Sequence, residues 1–374
     1  MAKRRLSKRG IIVIASAVLV LLLGGLTAHL VFSRPTVSFK NDLVYDCGQP
    51  LKVGELVSEV RNGKLVNGED SVNTSVLGES TVKVVVSNRL GRKYQYECTI
   101  SVNDKEAPVI ELPERIEMIL GEAIDLLGYG KASDNSGQYT LTLQEGYDLN
   151  KVGLQYLNYQ AVDGAGNRAE KQTVLLIREN ADDKKEYFLT GKGFSGYQEN
   201  GRTYIEGLLI VNKTYGLPAN YGPRGLTSET AAAYQAMAKA AKASGYELTI
   251  MSAYRNYSFQ EKVYSYNVEK LGEQKAQMLS AKPGHSEHQA GIALDLNSTR
   301  EAFADTDTFK WLNENAYKYG FILRYPQGKS EYTGYDFLPF QFTYVGEDWA
   351  KIFYNEGNWL AVEEYFGINS RYGD

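Results

Sequence analysis

Residues 282–296 read KPGHSEHQAGIALDL, and they decide how the C-terminal half of this chain is interpreted. The stretch sets two of the chain's three histidines and an aspartate among small residues. Metal sites that hydrolyse amides need about three protein ligands, an open position for water and a base. If this stretch forms a strand, a turn and a second strand, the small Gly291 lets His288 and Asp295 converge on one ion. A lone His–Asp pair is more often a structural hydrogen bond, so spacing alone leaves both interpretations open.

Neighbouring motifs make a resemblance specific. SEHQAGIALD (Ser286 to Asp295) is similar to the SxHxxGxAxD motif of the VanY-type D-alanyl-D-alanine carboxypeptidases, zinc peptidases that trim peptidoglycan stem peptides. Four further segments resemble this family: GLLIVNKTYGLPANYGP (207–223), SAYRNYSFQ (252–260), GFILRYPQGK (320–329) and TGYDFLPFQFTYVG (333–346). The C-terminal part is therefore identified as a member of that family. The resemblance implies an α+β zinc carboxypeptidase-like domain at residues 188–374.

The resemblance also implies roles for individual residues. His288 and Asp295 would be zinc ligands. Arg255 would lie at the polarised carbonyl or at the terminal carboxylate of the substrate, groups that a guanidinium fork suits. Without the family context, Arg255 would be interpreted as part of a surface ion pair. Ser286 and Gln260 would line the substrate pocket.

The second metal motif departs from the family pattern. The family usually has EPWHYRYVG, in which Glu is the general base and His the third zinc ligand, whereas this chain has LPFQFTYVG. Leu338 stands at the base position, Phe340 at the Trp, Gln341 at the third-ligand position and Thr343 at the Arg. An amide oxygen is a poor substitute for imidazole on zinc, and loss of a base alone costs about 10²–10⁴ in rate. We therefore expect zinc binding to be weak or absent, and hydrolysis likewise.

Three neighbouring residues are candidates to replace the missing groups. His285 precedes His288 by three residues, but we expect it to line the pocket or face solvent, given the geometry that zinc demands. Asp336 and Glu331 lie near Leu338 in sequence. In a strand, Asp336 would share the face of Leu338 about 6–7 Å away, too far to take over the same proton without rearrangement.

The N-terminus predicts a membrane anchor. Five basic residues precede an apolar run, Ile11 to Phe32, which as a helix would reach roughly 33 Å and so cross a hydrocarbon core of about 30 Å. A cleaved signal peptide is the alternative, although its apolar region would be shorter and would end in a small-x-small site. Positive charge before the span predicts a cytoplasmic segment, residues 1–10, and an extracytoplasmic location for everything after Ser33. The expected location is the cell membrane, with a single pass.

Residues 36–178 read as β structure with an internal repeat. Short runs rich in Val, Ile, Tyr and Thr are broken by Gly, Asn and Asp, a pattern typical of antiparallel strands. At a shift of 75, STVKVVVS falls on QYLNYQAV, and NRLGRK falls on DGAGNR. A unit of this size suits a small β-sandwich. The two units, 36–104 and 105–178, resemble bacterial Ig-like domains.

Two further features of this β region carry predictions. Cys47 and Cys98 lie in the exported part, so we predict a disulfide between them, with two small buried hydrophobes as the alternative. The loops rich in Asp and Asn are interpreted as turns, with calcium binding as the alternative. Their residues are Asp134, Asn135, Asp163 and Asn167.

After the β region, the charged segment 179–187 predicts a linker. Beyond it, residues 227–245 and 306–320 predict capped helices that end in Gly, and residues 246–254 predict a strand. The net charge of -4, with signs interspersed, gives no support for nucleic-acid binding.

Three hypotheses follow from these observations. The first is a membrane-anchored pseudoenzyme that binds cell-wall stem peptides, with the β modules as spacers. The second is an active zinc D,D- or L,D-carboxypeptidase with an unusual ligand set. The third is a protein-interaction platform in which Phe337, Phe340 and Phe342 fill a cleft no longer used for peptides.

Overall fold

The structure, a computed structural model, describes residues 16–21, 23 and 34–373. Residues 16–21 and 23 are helical. Within the described residues, no helix is both long enough and apolar enough to cross a membrane. Most of the predicted anchor, residues 11–32, and the whole of segment 1–10 lie outside the described residues.

The N-terminal region is mostly β structure. Its one α-helix, as far as residues 34–178 are concerned, is the single turn α1 (Val53–Leu56). The first six strands are β1 (Thr36–Phe39), β2 (Val44–Asp46), β3 (Val57–Arg61), β4 (Gly63–Leu65), β5 (Gly78–Asn88) and β6 (Lys93–Asn103). The next six are β7 (Val109–Glu111), β8 (Arg115–Ile119), β9 (Lys131–Ser133), β10 (Tyr139–Leu143), β11 (Gly153–Asp163) and β12 (Arg168–Arg178).

These twelve strands confirm the internal repeat. In the first copy, β1 pairs with β3, and a four-stranded sheet has the order β2-β6-β5-β4. In the second copy, β7 pairs with β9, and the sheet order is β8-β12-β11-β10. In both copies the first pair in this order is parallel, namely β2 with β6 and β8 with β12. The long hairpin strands β5 and β6 start 75 residues before β11 and β12, the shift found in the sequence.

The C-terminal region adds two further sheets and seven helices within residues 179–373. The strands are β13 (Glu186–Leu189), β14 (Ser195–Glu199), β15 (Arg202–Ile205), β16 (Leu208–Ile210), β17 (Ile250–Ser252), β18 (Ala293–Leu296), β19 (Phe321–Leu323) and β20 (Gln341–Tyr344). The α-helices are α2 (Ser228–Ala243), α3 (Tyr257–Leu271), α4 (Glu273–Leu279), α5 (Asp307–Asn315), α6 (Ser330–Thr333), α7 (Glu347–Tyr354) and α8 (Val362–Phe366). Strands β13 to β16 form an antiparallel meander, and the other sheet has the order β17-β18-β20-β19.

The predicted helices are confirmed with small shifts. The Thr227 hydroxyl accepts the N–H of Thr230 and so caps α2, as a threonine before a helix predicts. Helix α5 continues as a 3-10 turn and ends at Gly320, which has a φ of 79°. The predicted strand at residues 246–254 shortens to β17.

The core of this region lies between the β17-β18-β20-β19 sheet and the helices. It includes Leu294, Leu312, Phe321, Phe342 and Phe353, none of which is exposed. Phe342 was expected to help fill the cleft, and that expectation is wrong. Because side chains alternate along β20, Phe342 points into the core while Gln341 and Thr343 point to the other face.

Contacts divide the chain into two compact units. The first comprises Met1–Glu114, Asp125–Gly146 and Leu157–Thr173, and the second comprises Arg115–Ile124, Tyr147–Tyr156 and Val174–Asp374. The second β module thus contributes to both units, and strand β13 starts inside the segment expected to be a linker. The domain boundaries at 104, 178 and 187 stay predictions.

The disulfide prediction is wrong, because Cys47 and Cys98 are both buried free thiols. They belong to the apolar core of the first module. Strand β2 runs parallel to β6, and the N–H of Cys47 donates to the carbonyl of Asn103 at 2.8 Å. Cys98 lies five residues earlier on β6, or roughly 16 Å at about 3.3 Å per residue. A disulfide needs Cα atoms about 4.4–6.8 Å apart.

We therefore expect two free thiols per chain. The protein purified without reductant and then unfolded should take up two equivalents of a maleimide, and prior reduction should not change that number. The Cys98→Ser variant should take up one. A chain that reacts only after reduction would contradict the distance argument.

Candidate functional site

The candidate site lies at one end of the pairing between β18 and β20. Asp295 is directly opposite Gln341 on one side and opposite Ser252 on the other. Residues directly opposite each other in an antiparallel pair place their side chains on the same face of the sheet. The strand register therefore brings the predicted ligand Asp295 and the third-ligand position, Gln341, side by side.

His288 reaches the same place from a 3-10 turn, Glu287–Ala290, rather than from the strand that was predicted. Gly291 ends this turn with a φ of 70°, and a Cβ on it would lie 2.3 Å from the carbonyl oxygen of Gly225. The motif therefore requires glycine there for both conformation and space. His288 is fully buried, and its Nε2 lies 3.4 Å from Asp295 Oδ1. The two predicted zinc ligands are thus brought together.

The tautomer of the neutral His288 ring follows from its other ring nitrogen. Nδ1 lies 2.5 Å from the carbonyl oxygen of Ala253, an acceptor, so Nδ1 carries the hydrogen and donates it. In the neutral ring this leaves the Nε2 lone pair directed at Asp295. A carbonyl that fixes the imidazole in this way is the usual outer partner of a metal-ligating histidine.

Arg255 lies on the other side of the Asp295 carboxylate, with Nη2 3.6 Å from Oδ2. Burial opposes ionisation of Asp295, but the positive charges of the imidazolium form of His288 and of Arg255 hold the pKa of this carboxyl below its ordinary value. Burial also lowers the pKa of the Arg255 guanidinium, against the attraction of Asp295. The Nε of Arg255 is buried without a hydrogen-bond partner. Arg255 therefore keeps a donor for another acceptor.

The structure brings together two of the three protein ligands that a catalytic zinc site needs. His288 Nε2 and Asp295 Oδ1 are both buried and lack hydrogen-bond partners, as expected of atoms arranged for a cation. Within the described part of the chain, however, no third His, Cys, Asp or Glu side chain joins this pair within ligating distance. The remaining neighbour is the neutral amide of Gln341. The residues present therefore do not make the three-ligand centre with a base that hydrolysis requires.

A cleft of about 820 Å³ opens beside these residues. Arg255, Asp295 and Gln341 line it together with Gln260 and Ser286, so all five predicted site residues that face a substrate meet there. Gln260 is buried; its Nε2 donates to the carbonyl of Ala281 at 2.7 Å, and its Oε1 has no partner. Gln260 therefore borders the cleft mainly as a buried, positioned side chain.

Leu338 lies in the wall of the same cleft, in an apolar cluster with Ala281, Tyr325 and Tyr335. It is 5 % exposed, and its backbone N–H donates to the carbonyl of Tyr325 at 3.2 Å. The position of the general base is thus occupied by an apolar side chain packed against its neighbours. Phe337 and Phe340 also line the cleft, as the third hypothesis expects.

None of the three candidates is placed to act as a further metal ligand beside His288 and Asp295. The ring of His285 is held by the carbonyl of Asn212, at 2.8 Å from Nδ1, and by an edge contact with Tyr372. His285 does not line the cleft, nor does Glu331, which is exposed in α6. Asp336 does line the cleft, but it lies in a loop and not in a strand.

A buried ion-pair network supports the turn that carries His288. Arg324 Nε donates to Glu287 at 2.6 Å, and its two Nη atoms donate to Glu363 at 3.0 and 2.7 Å. The Thr343 hydroxyl donates to the other oxygen of Glu287 at 2.6 Å. Arg324 and Glu363 are each 1 % exposed. Because Glu287 directly precedes His288, the network fixes the position of the histidine.

Sequence reasoning did not find this network. Arg324 is the arginine of GFILRYPQGK, and Glu287 is the acid within SEHQAG. Both residues therefore lie in motifs that the sequence analysis identified, although their pairing was not predicted. Thr343, where the family has arginine, hydrogen-bonds to the carboxylate that Arg324 neutralises. The partner Glu363 carried no signal, because it lies in an acidic run on a short C-terminal helix.

Arg324→Met should destabilise the protein by about 3–5 kcal/mol, because it leaves Glu287 and Glu363 buried without a counter-charge. Urea unfolding measures this change in the free energy of unfolding. The matched control is Arg300→Met, an exposed arginine in the same region, which should change it by less than about 0.5 kcal/mol. Equal effects of the two substitutions would show that the network contributes nothing.

Comparisons with known proteins bear on this site. Residues 223–347 match the family described as VanY: D-alanyl-D-alanine carboxypeptidase. The putative carboxypeptidase YodJ of Bacillus subtilis (strain 168) is 41 % identical over 256 residues, 56 % of this chain and 93 % of YodJ. A D-alanyl-D-alanine carboxypeptidase of Enterococcus faecalis is 32 % identical over 189 residues, 45 % of this chain and 68 % of the relative.

Among solved structures, a variant of the vancomycin-resistance D,D-pentapeptidase VanY, determined with Zn(II), is 31 % identical. The likeness covers 42 % of this chain and 96 % of that one, with a TM-score of 0.37. The match to YodJ extends over nearly all of that relative, and the family match at residues 223–347 contains His288, Asp295 and the altered second motif. The chain belongs to the VanY family of metallo D-alanyl-D-alanine carboxypeptidases.

Proposed function

We propose that the C-terminal domain binds peptidoglycan stem peptides that end in D-alanine and hydrolyses them poorly or not at all. The observation that carries this proposal is the apolar packing of Leu338 in the wall of a cleft that keeps Arg255 and the His288–Asp295 pair. The cleft volume of about 820 Å³ is in the range of small-molecule and short-peptide sites.

Charge and shape in the cleft support a peptide with a free carboxylate. Arg255 lines the cleft with its side chain 15 % exposed, and its Nη2 is 3.6 Å from Asp295, longer than a strong ion-pair contact. An incoming carboxylate can therefore gain bonds from the guanidinium without breaking a tight one. The apolar wall of Leu338, Tyr325 and Tyr335 suits the methyl groups of alanine residues.

The same geometry opposes hydrolysis. Leu338 can neither accept the proton of an attacking water nor hydrogen-bond to it, which alone costs about 10²–10⁴ in rate. Gln341 offers zinc a neutral oxygen in place of an imidazole nitrogen, so occupancy of a metal is expected to fall as well.

The N-terminal run and the two β modules are expected to place this domain in the cell wall. We infer that the apolar N-terminal run anchors the protein in the cell membrane with the bulk outside. The two repeated β modules, interpreted as Ig-like, then act as spacers that carry the domain toward its peptide. The topology of the repeat supports serial modules.

A second candidate is an active zinc carboxypeptidase with an unusual ligand set. The observation that favours it is the pair of unpartnered buried atoms, His288 Nε2 and Asp295 Oδ1. The third candidate, a protein-interaction platform, is favoured by Phe337 and Phe340 in the cleft lining. The experiments below separate the three.

Wild-type protein should bind a stem peptide ending in D-Ala-D-Ala, measured by calorimetry, without releasing D-alanine over hours. Arg255→Gln should weaken binding at least tenfold, because it removes the donor to the carboxylate. The control Arg300→Gln removes an exposed charge that does not line the cleft, and it should bind normally. Chelator-sensitive D-alanine release by the wild type would favour the active enzyme, and no binding would favour the platform.

Restoring the missing groups should restore chemistry. Leu338→Glu with Gln341→His should bind one zinc per chain and release D-alanine, because the double change supplies both a base and a third ligand. Leu338→Gln with Gln341→His is the matched control, with equal zinc content and little activity. Metal analysis and a D-alanine assay on each protein measure the result. A double variant that loads zinc but stays inert would mean that the cleft no longer places a peptide correctly.

A further inference from the structure

Three aspartates from distant parts of the sequence meet in the first compact unit. Asp104 directly follows β6, Asp134 directly follows β9, and Asp163 is the last residue of β11. One carboxylate oxygen from each lies within 4.8 Å of one from each of the others. Across the described residues, none of the three forms an ion pair with lysine, arginine or histidine.

The turn interpretation accounts for only some of these oxygens. Asp134 Oδ1 accepts the N–H of Ser136 at 2.9 Å, and Asp163 Oδ1 accepts the N–H groups of Ala165 and Asn167 at 2.8 and 2.9 Å. Asp163 Oδ2 accepts from the Asn167 side chain at 2.7 Å. These are the local bonds that aspartate makes in turns, so the predicted turns are present.

The remaining oxygens have no such explanation. Asp104 is 8 % exposed, and its Oδ2 is buried with no hydrogen-bond partner. Asp134 Oδ2 and the side-chain oxygen of Asn135 are buried without partners as well. Buried polar atoms in folded proteins are nearly always paired, and buried charge needs a counter-charge or a metal. The unpaired buried oxygens of Asp104 and Asp134, two carboxylates of one cluster, point to a missing cation.

A fourth acid increases the local negative charge. The Asn135 amide nitrogen lies 3.2 Å from Asp104 Oδ1 and 3.4 Å from a carboxylate oxygen of Glu106. It also lies 3.5 Å from the carbonyl oxygen of Cys47. The cluster thus offers carboxylate oxygens, a carbonyl oxygen nearby and a high negative charge, which is the ligand chemistry of calcium.

We propose that Asp104, Asp134 and Asp163 bind a calcium ion. An all-oxygen, protein-supplied set favours calcium over magnesium, which keeps several of its waters and demands octahedral geometry. The ion joins the five-residue connection between β6 and β7, residues 104–108, to two turns of the second module. Calcium therefore stiffens this connection, a role independent of the peptide cleft.

Calcium titration of the EGTA-stripped, desalted full chain in a calorimeter tests this site. We expect one ion per chain with a dissociation constant of about 10⁻⁴–10⁻³ M, the range of extracellular modules, and a weaker response to magnesium. Asp295→Asn, in the peptide cleft, should bind calcium normally, so failure of the proposed peptide function leaves this test unaffected. No heat and no thermal shift up to 10 mM calcium, well above about 10⁻³ M, would overturn the proposal.

Substitutions separate a cation site from a structural turn. Asp104→Asn and Asp134→Asn keep an acceptor for the turn N–H groups but remove the charge, so each should weaken calcium binding at least tenfold. In EGTA both should be as thermally stable as the wild type. The matched control is Asp148→Asn, an exposed turn aspartate whose Oδ1 accepts the N–H of Asn150 at 2.8 Å. Calcium binding that survives both cluster variants would place the ion elsewhere.

Trypsin gives an independent readout of stiffening. Lys105 is exposed within the connection, so calcium should slow cleavage after it several-fold. Cleavage after Lys184, which is exposed outside the cluster, should be unchanged. Equal cleavage at Lys105 with and without calcium, when calorimetry shows the ion bound, would refute the stiffening role.

Discussion

The pairing of β18 with β20 is the constraint on which the C-terminal site depends. It places Asp295 opposite Gln341, and a slip of one residue in either strand would turn that strand's side chain into the core. The buried faces of Leu294 and Phe342 hold this register, since both are fully buried in the core. The fold therefore keeps a ligand geometry even though one of the two facing residues no longer suits zinc.

Stability and chemistry are separable in this domain. The ion pairs of Arg324 with Glu287 and Glu363 support the turn that carries His288. Leu338 and Gln341, by contrast, face the cleft. Changes on the cleft side leave the ion-pair network intact. A glutamate at position 338 would sit against Tyr325 and Tyr335, whereas leucine packs there without any cost of burying charge. The wall of the cleft can thus be apolar at position 338 while the supporting ion-pair network stays in place.

Much of this fold could be predicted from the sequence, and the exceptions have physical causes. The repeat and the capped helices were accessible because their signals are local: strand alternation, turn residues and the Thr227 cap. The disulfide prediction failed because parallel pairing of β2 with β6 is a long-range choice that composition does not encode. Phe342 was misplaced for the same reason, since its face depends on register. The Glu363 partner of Arg324 and the gathering of Asp104, Asp134 and Asp163 likewise depend on tertiary structure.

The leucine at position 338 also changes what occupancy of the cleft means. An enzyme consumes its ligand, so the bound fraction depends on turnover and product release. A cleft that does not cut comes to equilibrium, and its bound fraction follows the free concentration of D-alanine-ended peptide around its dissociation constant. Such a domain responds to the supply of uncut stem peptide without altering it. Under the proposed function, the bound fraction of this protein would therefore report the local concentration of uncut stem peptide.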